Sequence, residues 1–220
     1  MRRIRLEETE ILLYVGEPTP YSAQQEIYLD FLPQGRYVNS GVWKFTLAPV
    51  RIVTGDYSMY LPSQSAVSVD TRFYRPVPDV TLTIPSTAPR VITVGAYDTE
   101  NDAYADFSGR GYPLTAAGGQ RIAVMQGKPD LVAPGVGIVS AMAGGGRGAV
   151  TGTSFAAPFV TGAAALLMEW GIVMGHDPYL YGQKVKAYLQ RGARELPGFD
   201  TFPNALVGWG SLCVENSLPV

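Results

Sequence analysis

Residues 155–171 restrict the fold of this chain more than any other stretch. They read Phe-Ala-Ala-Pro-Phe-Val-Thr-Gly-Ala-Ala-Ala-Leu-Leu-Met-Glu-Trp-Gly. Apolar residues lie nearly all round a helical projection, so a buried core helix is expected. Ala156, Ala157, Gly162, Ala163, Ala164 and Ala165 are small enough to let neighbours approach closely. The run is short for a bilayer, Pro158 interrupts it and Glu169 ends it, all of which argues against a transmembrane helix. A second helix is expected over residues 181–194, with Val185, Tyr188 and Leu189 as its apolar stripe.

Upstream the pattern is different. Residues 11–15 form an apolar run stopped by Gly16-Glu17-Pro18. Residues 26–32 and 42–47 alternate polar and apolar, as half-buried strands do. Residues 51–54 and 58–61 flank the turn signal Gly55-Asp56. This predicts an antiparallel β module of sandwich or jelly-roll type over residues 1–84. A Pro-rich stretch, residues 76–89, marks the expected boundary with a second region, residues 85–220. There residues 90–96 read as a strand buried on both faces, and residues 131–134 and 138–141 as two more short strands. Gly144-Gly145-Gly146-Arg147-Gly148 reads as a flexible loop; no Lys-Ser/Thr follows it, so it is not a phosphate cradle.

At 220 residues, 46% apolar and 16% charged, the chain can bury a core. A net charge of −2 argues against nucleic acid or an anionic membrane as partner. Cys213 is the one cysteine, so no intrachain disulfide forms; flanked by Leu212 and Val214, it reads as a packed, inert thiol. The N-terminus starts basic, but no apolar segment follows. It is not a signal peptide, and the first segment reads like the middle of a strand.

The chemistry concentrates in Gly152-Thr153-Ser154-Phe155-Ala156-Ala157-Pro158. Ser154 is expected at the N-terminus of the core helix, where unpaired N–H groups and the helix dipole favour developing negative charge. Gly152 permits a tight entry, and Pro158 is expected in the first turn, where its missing N–H costs little. A nucleophilic serine needs such support for an oxyanion. A serine before a helix is also an ordinary N-cap, and these features alone favour the cap. The esterase elbow Gly-x-Ser-x-Gly does not fit, since Ala156 stands in place of its second glycine.

The longer pattern Gly-Thr-Ser-x-Ala-Ala-Pro-x-Val-x-Gly-Ala-Ala-Ala-Leu, residues 152–166, resembles the serine block of the subtilisin-like peptidases, the subtilases. Residues 91–98 (Val-Ile-Thr-Val-Gly-Ala-Tyr-Asp) resemble the strand ahead of that block, and residues 128–136 (Lys-Pro-Asp-Leu-Val-Ala-Pro-Gly-Val) the turn between them. Phe107-Ser108-x-Arg110-Gly111 and residues 206–212 (Leu-Val-Gly-Trp-Gly-Ser-Leu) are similar to further family segments. Pro18-Thr19-Pro20-Tyr21, residues 40–45 and residues 57–62 resemble the jelly roll embedded in clostridial-type subtilases, a group that includes peptidases of spore germination.

The resemblance implies an α/β fold: the C-terminal part of the subtilisin-like parallel-sheet domain, preceded by the β module. It implies a serine endopeptidase acting on peptide or protein substrates through an acyl-enzyme. Ser154 would be the nucleophile, with Gly152 and Thr153 at the oxyanion and substrate side. The family's Asp, His and oxyanion Asn lie upstream of the embedded module and are not found here. The missing N-terminal half would have to act in cis or in trans, and the chain alone would be inactive. The alternatives are a catalytically inactive, subtilase-like binding or regulatory protein, or a binding role for the β module alone. Calcium occurs in the family; Asp98 and Asp102 are possible contributors, more simply read as solvated loop carboxylates. His176 is the sole histidine. At about 1.5 Å per residue, residue 174, twenty positions on, lies ~30 Å from Ser154, so His176 reads as a surface loop residue and not as its base.

Overall fold

The computed structural model describes residues 1–20, 25–52, 55, 57–63, 66–112 and 127–218. Of the residues singled out above, Tyr21, Val53, Thr54 and Asp56 lie outside these. The chain divides into two compact units, Met1–Tyr57 and Ser58–Val220.

The first unit is built on an antiparallel sheet in the order β1 (Arg2–Leu6), β2 (Thr9–Val15), β3 (Ile27–Pro33). Thr9, Glu10 and Ile11 are its buried residues. Glu10 pairs there with Arg3 at 3.2 Å and with Arg5 at 3.5 Å. Asn39 fastens the following loop to β2: its Oδ1 accepts from Thr9 Oγ1 at 2.6 Å and from the Glu8 N–H at 3.1 Å.

No strand forms over residues 42–47, 51–52 or 58–61. Trp43 and Phe45 instead lay their rings edge-on against Phe31, with centroids 5.1 and 6.2 Å away. Alternation reports which side chains share a face; a strand also needs a neighbour to take its N–H and C=O groups. Three strands are present in this unit among the described residues, against the eight of a jelly roll.

The second unit takes in residues 80–81, whose amides donate to the Gly111 and Arg110 carbonyls at 3.3 and 2.8 Å. Its centre is a three-stranded sheet in the order β5 (Ala103–Tyr104), β4 (Val94–Asp98), β6 (Leu131–Pro134). β4 and β6 run parallel, from Val94 opposite Leu131 to Tyr97 opposite Pro134. The strand expected from residue 90 begins at Val94, because Lys128 and Lys186 draw the Val91 carbonyl into a polar cluster. β6 is buried on both faces. Leu131 and Ala133 join one core cluster with Ala156, Val160, Ala163 and Leu167. Val132 joins another with Tyr97, Leu196 and Val207.

A hairpin follows, β7 (Ile138–Ala141) with β8 (Arg147–Val150). The glycine-rich segment expected as a flexible loop is its turn. Gly144, Gly145 and Gly146 adopt φ 84°, 99° and 83°, a conformation that glycine takes without steric cost. The core helix α1 spans Thr153–Met168 and runs on into a π-helical turn, Glu169–Val173. Within these 21 residues an 18-residue window has a mean hydropathy of 1.5, enough by length and composition alone to cross a membrane. Ala156, Val160, Ala163 and Leu167 instead form a buried stripe against β4 and β6.

Full burial of α1 was the expectation, and the structure departs from it. Phe159, Leu166 and Met168 stay exposed, because neighbours cover one side of the helix. α2 spans Gln183–Gly192, shorter at both ends than the pattern predicted. Positive φ at Gly182 starts it and extended backbone at Ala193 ends it. A short α3, Val214–Ser217, closes the unit, with the half-buried Cys213 as its N-cap residue.

Candidate active site

β4, β6 and α1 converge at the turn carrying the Gly-Thr-Ser sequence. β6 ends at Pro134, and the next residue, Gly135, donates its N–H to the Tyr97 carbonyl at the end of β4, at 3.0 Å. The Gly135 carbonyl accepts the Gly152 N–H at 2.8 Å. A second tie runs alongside, from the Gly137 N–H to Thr151 Oγ1 at 3.0 Å. The serine turn is therefore anchored on the sheet and does not hang from a free loop.

Gly152 is the N-cap residue of α1, with φ 152° and ψ 158°. That region is essentially closed to residues with a Cβ. The half-buried Thr153 opens the helix, and Ser154, its second residue, is exposed. Ser154 is thus not the cap, and α1 has no side-chain cap bond. The first amides of a helix have no intrahelical partner, so the exposed Ser154 stands at the positive end of a dipole. Starting α1 at Thr153 also corrects the placing of Pro158. It falls in the second turn, where its ring crowds the carbonyl four residues back, that of Ser154.

Gly152, Thr153 and Ser154 are brought together by sequence adjacency. His176 is not brought to them. It stacks on Trp170 with ring centroids 4.9 Å apart and planes 4° from parallel, and its Nδ1 lies 2.9 Å from the Trp170 carbonyl. Trp170 sits beyond the end of α1, about 24 Å from Ser154 at ~1.5 Å per residue. Asp98 is occupied locally, accepting from the Glu100 N–H at 2.9 Å and from Asn101 Nδ2 at 2.8 Å. Asp102 sits at φ 50°. Among the described residues no group of three His, Cys, Asp or Glu is placed to hold a metal ion.

Sequence reasoning missed a buried polar cluster at the opposite end of the β4–β6 ladder from this turn. Asp130, Lys128 and Lys186 are all buried. Asp130 pairs with Lys128 at 2.8 Å and with Lys186 at 2.7 Å. Burial pushes the Lys128 ammonium below the usual lysine range, and the adjacent Asp130 opposes that shift. Lys128-Pro129-Asp130 was visible as a motif. Its partners in α2 were not, since a lysine beside Val185 reads as a solvated residue.

The model of the subtilase family matches residues 68–210. The chain belongs to the subtilase family. Among curated subtilases it is similar to the serine protease AprX of Bacillus subtilis, 33% identical over 159 residues, which is 63% of this chain and 32% of AprX. Subtilisin-like protease 7 of Trichophyton equinum is 40% identical over 96 residues, 44% of this chain and 20% of that protein. Among solved structures, the CspB protease of Clostridium perfringens superposes with a TM-score of 0.77 at 33% identity. That match covers 98% of this chain, so it takes in both units, and 43% of the CspB chain. The chain therefore spans less than half the length of these subtilases.

Proposed function

We propose that this subtilase chain carries the nucleophile of a serine endopeptidase, Ser154, and that a further segment supplies the rest of the machinery. That segment would bring the general base, its orienting carboxylate and the side-chain half of the oxyanion hole, in cis or in trans. The placement of Ser154 carries the reading: exposed, second in α1, unused as a cap, and behind a turn that only glycine adopts comfortably. The substrates are peptides or proteins, a reading supported by the proteases the chain resembles.

In this mechanism Ser154 Oγ adds to the scissile carbonyl as its proton passes to the supplied imidazole. The Ser154 N–H and the Thr153 side chain stabilise the oxyanion, and Gly152 lets substrate approach the backbone. The C–N bond then breaks, and the imidazolium protonates the leaving amine. Water hydrolyses the resulting ester by the same route, restoring the Ser154 hydroxyl. A triad acts as a unit, so the chain alone has negligible turnover.

One observation favours a second reading, an inactive subtilase that binds or regulates. The sole histidine stacks on Trp170, at the opposite end of α1 from Ser154. A fluorophosphonate probe separates the two. With the base-supplying segment present, Ser154 is labelled and Ser154→Ala abolishes labelling. Labelling that survives Ser154→Ala overturns the nucleophile assignment, and an unreactive wild type supports the binding role.

A further inference from the structure

Asp130 is 1% exposed, and its carboxylate accepts three hydrogen bonds and one further ion pair from three separate parts of the chain. Its Oδ2 accepts from Lys128 Nζ at 2.8 Å and from the Thr93 N–H at 2.7 Å. Its Oδ1 takes Lys186 Nζ at 2.7 Å and Gln190 Nε2 at 2.8 Å, both from α2. Thr93 and Asp130 exchange bonds, because the Asp130 N–H donates in turn to the Thr93 carbonyl at 2.8 Å. A buried ion cluster is seldom more stable than an apolar one of the same volume; its best-attested use is to select one register.

The neighbouring ladder is short. β4 and β6 pair over four residues, Val94, Gly95, Ala96 and Tyr97 against Leu131, Val132, Ala133 and Pro134. A slide of two residues would keep every side chain on its face and set Val94 against Ala133, apolar against apolar. The Thr93–Asp130 exchange forms in one register. The far end of the ladder depends on that register. A methyl group on Gly135 would stand 2.6 Å from the Ala96 Cβ and 3.2 Å from the Gly152 carbonyl oxygen. The Gly135 carbonyl holds the Gly152 amide, two residues before Ser154.

We propose that Asp130 pins the register of β4 on β6 and, through Gly135 and Gly152, is a positioning residue for Ser154. The inference rests on Ser154 as the nucleophile. Asp130 touches no substrate; it sets where the serine turn stands relative to the sheet. A misplacement of about 1 Å at a reacting group costs on the order of 100-fold in rate.

The test uses the active peptidase, this chain with the segment that supplies the base, and counts competent sites by fluorophosphonate titration. Asp130→Asn is expected to lower kcat per titrated site about 10- to 100-fold with KM within about twofold. Asp130→Glu keeps the charge opposite both lysines but lengthens the arm, and it serves as the second variant if Asp130→Asn fails to fold. It is expected to lose about tenfold in kcat per site. Gln190→Ala removes one α2 donor, leaves the Thr93 exchange intact and keeps kcat per site.

A merely structural Asp130 would reduce the number of titratable sites and leave kcat per site unchanged in Asp130→Glu, and that result overturns the proposal. A loss in Gln190→Ala as large as in Asp130→Glu also overturns it, as does the absence of titratable sites in both Asp130 variants. A wild type that does not titrate at Ser154 sinks the nucleophile reading itself. A titrating wild type with an unaffected Asp130→Glu sinks this inference alone.

Discussion

The Gly152 N–H donates to the Gly135 carbonyl at 2.8 Å, tying the N-cap residue of α1 to the residue that follows β6. Both positions require glycine, for different reasons. Gly135 has no room for a Cβ beside Ala96, and Gly152 holds φ 152°. The serine turn is thus held by steric exclusion on one side and by backbone conformation on the other.

Alanine at either position is expected to destabilise the second unit. Gly135→Ala overpacks a close contact, at about 1–3 kcal/mol. Gly152→Ala forces a residue with a Cβ into a region that costs about 1–3 kcal/mol. Urea unfolding of each variant measures both. Losses within about 0.5 kcal/mol, the range of ordinary surface changes, would show that the turn tolerates a side chain.

Two adjacent leucines in α1 should behave oppositely. Leu167 is fully buried and Leu166 is 51% exposed. Leu167→Ala is expected to cost about 2–5 kcal/mol, and Leu166→Ala no more than about 0.5 kcal/mol in the chain by itself. A large loss in Leu166→Ala would mean that the outer side of α1 is already covered.

Lys128 makes stability depend on pH in a definite direction. Its ammonium titrates below the usual lysine range, chiefly because it is buried, with Asp130 opposing and Lys186 reinforcing the shift. The unfolded chain then holds that proton more tightly than the folded one, so the contribution of Lys128 to stability rises with pH between the folded and the ordinary value. Tyr97, Tyr104 and Tyr112, raised by burial, act the other way. The informative quantity is therefore the difference between wild type and Lys128→Met, followed by urea unfolding from about pH 8 to 11, the alkaline side of lysine titration. A difference that stays constant with pH would place the Lys128 titration at its ordinary value.

His176→Ala should leave labelling of Ser154 unchanged. The imidazole packs on Trp170, and losing an aromatic contact of that kind costs about 0.5–1.5 kcal/mol. Thermal unfolding and fluorophosphonate labelling are measured on one sample. Lost labelling with unaltered stability would bring His176 into the chemistry, against the geometry.

Residues 152–166 were legible as a serine turn feeding an apolar helix, since helix signals are local and repeat every 3.6 residues. β2, β3, β6 and β7 were legible as short apolar or alternating runs. Residues 42–47 misled: their alternation comes from Trp43 and Phe45 packing on Phe31, without a partner strand. The exposed side of α1 misled as well, because composition shows that a helix can be buried and not what is present to bury it.

The sequence by itself determined the family, the place of Ser154 in its motif and the distance that separates His176 from it. Each follows from residues close along the chain or from the fixed rise of a helix. Tertiary structure alone decided that Gly135 meets Gly152, that Lys186 turns inward, and that Asp130 joins β4, β6 and α2 through one carboxylate. Those contacts link residues about 15 to 95 positions apart, set by how the strands and helices pack, and local periodicity carries no record of such pairings.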